Sequence, residues 1–231
     1  MRMVFVPGFT QTAASWSSVL AQLPLRAETV VAEIPSAPTF DATVDALVNE
    51  YGAGCWIGYS MGGRLALRAA LRHPEAVRAL VLVSATAGMA DPDDRAARVR
   101  ADAARADEVE SIGTEAFLEA WLAQPMFASL PANAPGLADR RTLSPDALAH
   151  QLRVLGTGVM PSCWDALGAL DIPVLVVTGT HDEKFDTIGT ELATGVAHAT
   201  HVRIDAGHCV PLEAPEALAR AIETFLHYAR S

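Results

Sequence analysis

Gly58-Tyr59-Ser60-Met61-Gly62 satisfies G-x-S-x-G, a pattern in which a serine sits in strained geometry at a strand-to-helix turn and small flanking residues permit close packing. Its hydroxyl then stands clear of the sheet edge. A serine hydroxyl does little chemistry unless a histidine takes its proton and a carboxylate fixes that histidine's tautomer. Partners must therefore follow, in the order acid then histidine, each after a late strand. Asp182 in Gly179-Thr180-His181-Asp182 and His208 in Ala206-Gly207-His208 meet that order. Asp91 also trails a strand pattern, but Pro92-Asp93-Asp94 makes it a helix N-cap. The backbone N–H groups of Met61, after the serine, and of Phe9, in Pro7-Gly8-Phe9 after the first strand, are the candidates for an oxyanion hole.

The other histidines carry blander readings. His198 and His201 form an H-x-x-H pair with no nearby acid and read as polar surface residues, so no metal is expected. His73 closes a helix before Pro74, and His150 and His227 fall in helical patterns that give them no role. Gly52-Ala53-Gly54 precedes a strand and its third glycine is misplaced, which rejects a nucleotide site.

Positioning these residues requires a sheet. Short β-branched runs at 3–6, 29–34, 55–59, 79–84, 173–179 and 201–205 alternate with helical patterns at 14–22, 41–51, 61–72 and 215–228. That order predicts an α/β fold with a mainly parallel sheet and helices on both faces. Runs such as Val81-Leu82-Val83 are apolar on both sides, as a sandwiched strand must be. From 85 to 171 the chain exceeds a normal crossover and reads as helical. Helices are expected from 92, at 114–124 and at 145–155, separated by Pro125, Pro131, Pro135 and Gly136. The expectation is a single domain, 1–231, with a helical lid at 85–171 inserted in it.

Composition narrows the rest. The 231 residues are 51% hydrophobic and 19% charged, enough apolar material for a sizeable core. Net charge is −10, from 17 Lys+Arg against 27 Asp+Glu without a basic cluster, which excludes a nucleic-acid partner. No stretch reaches the roughly 18 apolar residues of a membrane span. The opening eight residues hold only a short apolar run, so no signal peptide is expected. Cys55, Cys163 and Cys209 lack metal-site spacing and read as buried free thiols. A cytoplasmic protein is expected, monomeric or a small homo-oligomer.

Together the Ser60, Asp182 and His208 motifs resemble the α/β-hydrolase superfamily along essentially the whole chain. A narrower resemblance lies in Gly58-Tyr59-Ser60-Met61-Gly62-Gly63-Arg64, in Leu148-Ala149-His150-Gln151-Leu152-Arg153-Val154-Leu155-Gly156-Thr157-Gly158 and in Gly179-Thr180-His181-Asp182-Glu183-Lys184-Phe185. These look like the 2-succinyl-6-hydroxy-2,4-cyclohexadiene-1-carboxylate (SHCHC) synthases of menaquinone biosynthesis. The resemblance implies a lyase without cofactor that eliminates pyruvate from a cyclohexene polycarboxylate, with Ser60 as base. It also implies a carboxylate-binding arginine at Arg140 or Arg141. Two residues depart from the family: Pro7 stands where its first loop has histidine, and Met160 where glutamine is expected.

A polycarboxylate entering an acidic protein needs local cations. Arg64, one turn after Ser60, fits that need, though with Arg68 and Arg72 it also reads as a solvated stripe. Lys184, the only lysine in the chain, stands two residues from Asp182. Tyr59, inside the serine motif, completes the candidate substrate contacts. Two rival readings share the same residues: a carboxylic-ester hydrolase with Ser60 as nucleophile, and a non-catalytic binder of small acids.

Overall fold

The computed structural model describes residues 2–23, 28–134 and 136–229; Pro135, read above as a helix breaker, lies outside them. Among the described residues six strands form one sheet: β1 Met3–Val6, β2 Thr29–Val31, β3 Gly54–Tyr59, β4 Val77–Val83, β5 Val174–Gly179 and β6 Ala199–Ile204. Every neighbouring pair is parallel and the order is β2-β1-β3-β4-β5-β6. The chain thus winds outward from β1 to β2, then returns to the other side of β1 for β3. Loops leaving β1 and β3 diverge there, opening the crevice that this topology offers a ligand.

Eight α-helices accompany the described strands: α1 Ser17–Leu20, α2 Phe40–Tyr51, α3 Met61–Arg72, α4 Pro92–Leu122, α5 Pro145–Leu155, α6 Glu183–Gly195, α7 Val210–Glu213 and α8 Pro215–Tyr228. Strand side chains alternate between two cores, as the pleat requires. Val4, Val6, Trp56, Leu80, Leu82 and Val176 face α2, α3 and α6. Phe5, Ile57, Val81, Val83 and Val177 face α1 and α8. Each large apolar side chain buried in this way contributes about 1.5–3 kcal/mol.

Between β4 and β5 runs the helical insertion, α4 and α5, with its own small core of Ala106, Val109 and Phe117 against Leu148, Ala149 and Leu152. Asp91 caps α4, accepting from the Asp93 and Asp94 N–H groups at 2.9 Å, and Ser144 caps α5. Gly113, at φ 81° and ψ 167°, breaks α4 into the two helices that the sequence predicts on either side of it.

Three expectations shift. The helix expected at 14–22 is a 3-10 turn, Ala13–Trp16, running into the short α1. The second strand stops at Val31 because this edge strand pairs only with β1, whose register ends at Phe5↔Val31. Helix α6 has no counterpart among the sequence patterns. It carries three threonines and two glycines, and Thr187, Thr190 and Thr194 bond back to carbonyls four residues earlier. That composition obscures the helical spacing of Phe185, Ile188 and Leu192. Among the described residues no helix is long and apolar enough to cross a membrane.

Candidate active site

The serine turn is built by close approach. A side-chain carbon at Gly58 would collide with the Gly62 carbonyl, and one at Gly62 would lie 2.6 Å from the Pro7 carbonyl oxygen. Only glycine lets α3 begin so near β1 and β3. Ser60 sits at φ 51° and ψ −108°, its N–H donating to the Val83 carbonyl and its carbonyl accepting from the Arg64 N–H. A non-glycine residue held there costs on the order of 1–3 kcal/mol, so the surrounding contacts must enforce it.

His208 and Asp182 arrive from the last two strands. Thr180 and His181 donate their N–H groups to the Ile204 and Ala206 carbonyls, lashing the two strand ends together. Asp182 caps α6 through Oδ1, 3.4 Å from the Phe185 nitrogen, while its Oδ2 lies 2.6 Å from His208 Nδ1. The other ring nitrogen, Nε2, is 3.4 Å from Ser60 Oγ. Phe185, Tyr59 and Phe127 pack around the imidazole, with ring centroids 4.4, 5.5 and 6.2 Å away, and leave it 2% exposed.

One residue in this arrangement escaped the sequence reading. Glu213 accepts from the Gly207 N–H at 2.7 Å and from the Cys209 N–H at 2.9 Å, gripping the backbone on both sides of His208. A carboxylate five positions after the histidine, with Pro211 between to turn the chain, was the available signal.

A cavity of about 250 Å³ opens beside Ser60, and Phe9, Met61, Arg64, Lys184 and His208 line it. Arg98, Arg105, Asp102 and Gln151, from the insertion, line it too. Arg64 is 7% exposed and donates to the Leu155 carbonyl at 2.7 Å. Burial, and then neighbouring Arg98, pull its guanidinium below the ordinary value, against Asp102, yet an arginine keeps its charge at neutral pH. Arg98 and Arg105 went unrecognised because a long polar helix gives no sign of which charged stripe faces inward.

Three candidate contacts stand outside this cavity's lining. Tyr59 is buried behind His208, its phenol pushed up by burial and then by Cys209. Arg140, 1% exposed, donates to Thr10 Oγ1 at 3.0 Å, next to the loop that presents Phe9. Arg141 pairs with Glu115 at 3.4 Å on the rim of a separate groove. Among the described residues no cluster of His, Cys, Asp and Glu could hold a metal, and the three cysteines are buried free thiols.

This sheet order and strand-to-helix serine turn define a class, and the chain belongs to the alpha/beta hydrolase family, whose model matches residues 3–221. Within it, the chain's sequence relatives include SHCHC synthases. It is 32% identical over 238 residues to the SHCHC synthase of Enterobacter sp. (strain 638), covering 97% of this chain and 91% of that one. A Bacillus subtilis (strain 168) protein provisionally named for the same activity is 37% identical over 177 residues, 74% of this chain but only 64% of that relative. Among solved structures, MenH from S. aureus superposes with a TM-score of 0.92 at 26% identity, covering 100% of this chain and 95% of that one.

Proposed function

We propose that the protein is a cofactor-independent lyase that eliminates pyruvate from a cyclohexene polycarboxylate to give SHCHC. The observation that carries this reading is the cationic lining beside Ser60, Arg64, Arg98, Arg105 and Lys184, in a protein of net charge −10. A neutral acyl ester has no use for such a lining. A substrate with carboxylates on the ring, on the succinyl arm and on the departing pyruvyl group does.

In this reading Ser60 acts as a base. His208 Nε2 takes the hydroxyl proton, Asp182 stabilises the imidazolium through Nδ1, and Ser60 Oγ removes the acidic proton beside the succinyl ketone. Phe9 and Met61 N–H groups face the ketone oxygen as negative charge develops there. The carbanion's electron pair moves through the ring double bond and expels pyruvate as its enolate by breaking the C–O bond. The proton then passes from the imidazolium to the leaving group, which departs as pyruvate. The chain works as one domain, with the 85–171 insertion as a lid that limits water.

Coupled detection of pyruvate tests this. With the SHCHC precursor the expected turnover is roughly 1–10³ s⁻¹, with feeble hydrolysis of p-nitrophenyl esters. Fast ester hydrolysis without pyruvate, with an acyl mass shift on Ser60, would refute the lyase and establish the hydrolase.

A further inference from the structure

A carboxylate stands among the cations of the cavity. Asp102, in the first half of α4, is 2% exposed and lines the space beside Ser60. Both its oxygens accept from Arg98 Nε, at 2.8 and 2.9 Å, and Arg105 Nη1 lies 3.5 Å from Oδ1. These arginines stand four residues before and three after Asp102, so all three side chains leave one stripe of the helix. The same carboxylate touches the core side of the cavity: a side-chain carbon on Gly156 would lie 2.5 Å from Oδ2, one residue after the Leu155 carbonyl that holds Arg64. In a site for anions a buried carboxylate repels the ligand, so its presence calls for a compensating role.

We infer that Asp102 is the positioning residue of an anion clamp, holding Arg98 and Arg105 ready for the carboxylates of a polyanionic substrate. By engaging Arg98 at Nε it leaves that side chain's Nη groups for a ligand. By offsetting one of the four cationic charges that line the cavity, it lets Arg64, Arg98 and Arg105 converge before any ligand arrives. The inference rests on the polycarboxylate reading above.

Neutralising Asp102 sets two effects against each other. The cavity gains a positive charge, which favours any anion, and the two arginines lose their anchor. Exposure decides between them: the Arg98 and Arg105 side chains are 36% and 40% exposed, so once released they reach solvent, where hydration and salt weaken their pull. Loss of order therefore outweighs the gain in charge.

The test is calorimetric titration of the full chain with tricarballylate, alongside steady-state pyruvate release. In Asp102→Asn the tricarballylate Kd and the substrate KM should both rise roughly tenfold, since two long side chains must now be ordered on binding. The kcat should change less than about threefold, because the clamp acts on binding common to ground and transition states. Asp102→Glu keeps the charge but displaces it, and should also weaken binding. Combined with Arg98→Gln, Asp102→Asn should add little, a non-additivity that a purely structural role would not give. Thermal denaturation of each variant separates loss of fold from loss of the clamp. Tighter tricarballylate binding in Asp102→Asn, wild-type binding in Asp102→Glu, or additive losses in the double variant would overturn the inference. If tricarballylate binding weakens as stated while no variant, nor the wild type, forms pyruvate, the clamp stands and the lyase reading fails.

Discussion

Ser60, the base of the proposed reaction, shows what its backbone geometry costs the chain. Its φ of 51° is the conformation that aims Oγ between His208 and the cavity, and it is also the conformation an L-residue resists. Ser60→Gly should therefore raise stability by about 1 kcal/mol, seen as a higher urea midpoint, while abolishing pyruvate release. Lower stability in that variant would mean that the hydroxyl, not the backbone, dominates the energetics of the turn. Glu213 acts one step further out. Its carboxylate satisfies two N–H groups that flank His208, so Glu213→Ala should let the imidazole drift from Ser60. In the proposed mechanism His208 carries the proton, and misplacing it costs rate while leaving substrate binding alone: kcat should fall about 10- to 100-fold with KM nearly constant. A change confined to KM would contradict this role.

At the scale of elements, α6 joins the site to the sheet, since Asp182 caps it and Gly189 brings it against Thr178 and His201. His201 is partly buried under this helix, its Nε2 2.7 Å from Thr178 Oγ1. Burial, and then Arg203, hold the imidazole below its ordinary value of 6.5, in spite of Asp186. The folded state thus favours neutral His201. Its contribution to stability is fully present above about pH 6.5 and is lost as pH falls through the lower folded value. Urea unfolding from pH 8 to pH 5 should show a steeper loss in wild type than in His201→Gln, and equal slopes would exclude the link. This helix is also where the sequence was least legible. The order Ser60, Asp182, His208 stands out because each residue follows a strand with an unmistakable apolar run, such as Val174-Leu175-Val176-Val177. Helix α6 hid behind threonine and glycine, whose intrinsic preferences oppose a helix that tertiary packing nonetheless enforces. Arg98 and Arg105 were hidden for a different reason: their role depends on which face of α4 meets the core, and periodicity on a mostly polar helix does not reveal it.

For the molecule as a whole, the sign of charge reverses between surface and site. The chain carries −10 overall, yet four of its 17 Lys and Arg line one cavity near the switch point of the sheet. Two of those cations come from the insertion and two from elements built on the sheet, so the positive pocket exists only while the two parts are packed together. The two fields predict opposite responses to salt. If the far field governed capture, salt would screen the repulsion between an acidic protein and a polyanion, and KM would fall. If the cavity governs it, salt competes for the guanidinium contacts and KM rises. The Debye length decides: at about 10 Å in 0.1 M salt it removes most of the distant surface field, while charges a few ångströms from the ligand still act. Above roughly 0.1 M NaCl the surface contribution is spent, and further salt can only weaken the contacts inside. KM for the SHCHC precursor should accordingly rise by roughly threefold or more between 0.1 and 0.5 M NaCl with kcat unchanged, measured through pyruvate release. Asp102→Asn, with its arginines loosened into solvent, should show a steeper rise over the same range. A KM that falls with salt throughout would mean that the acidic surface, rather than the clamp around Ser60, sets the encounter with substrate.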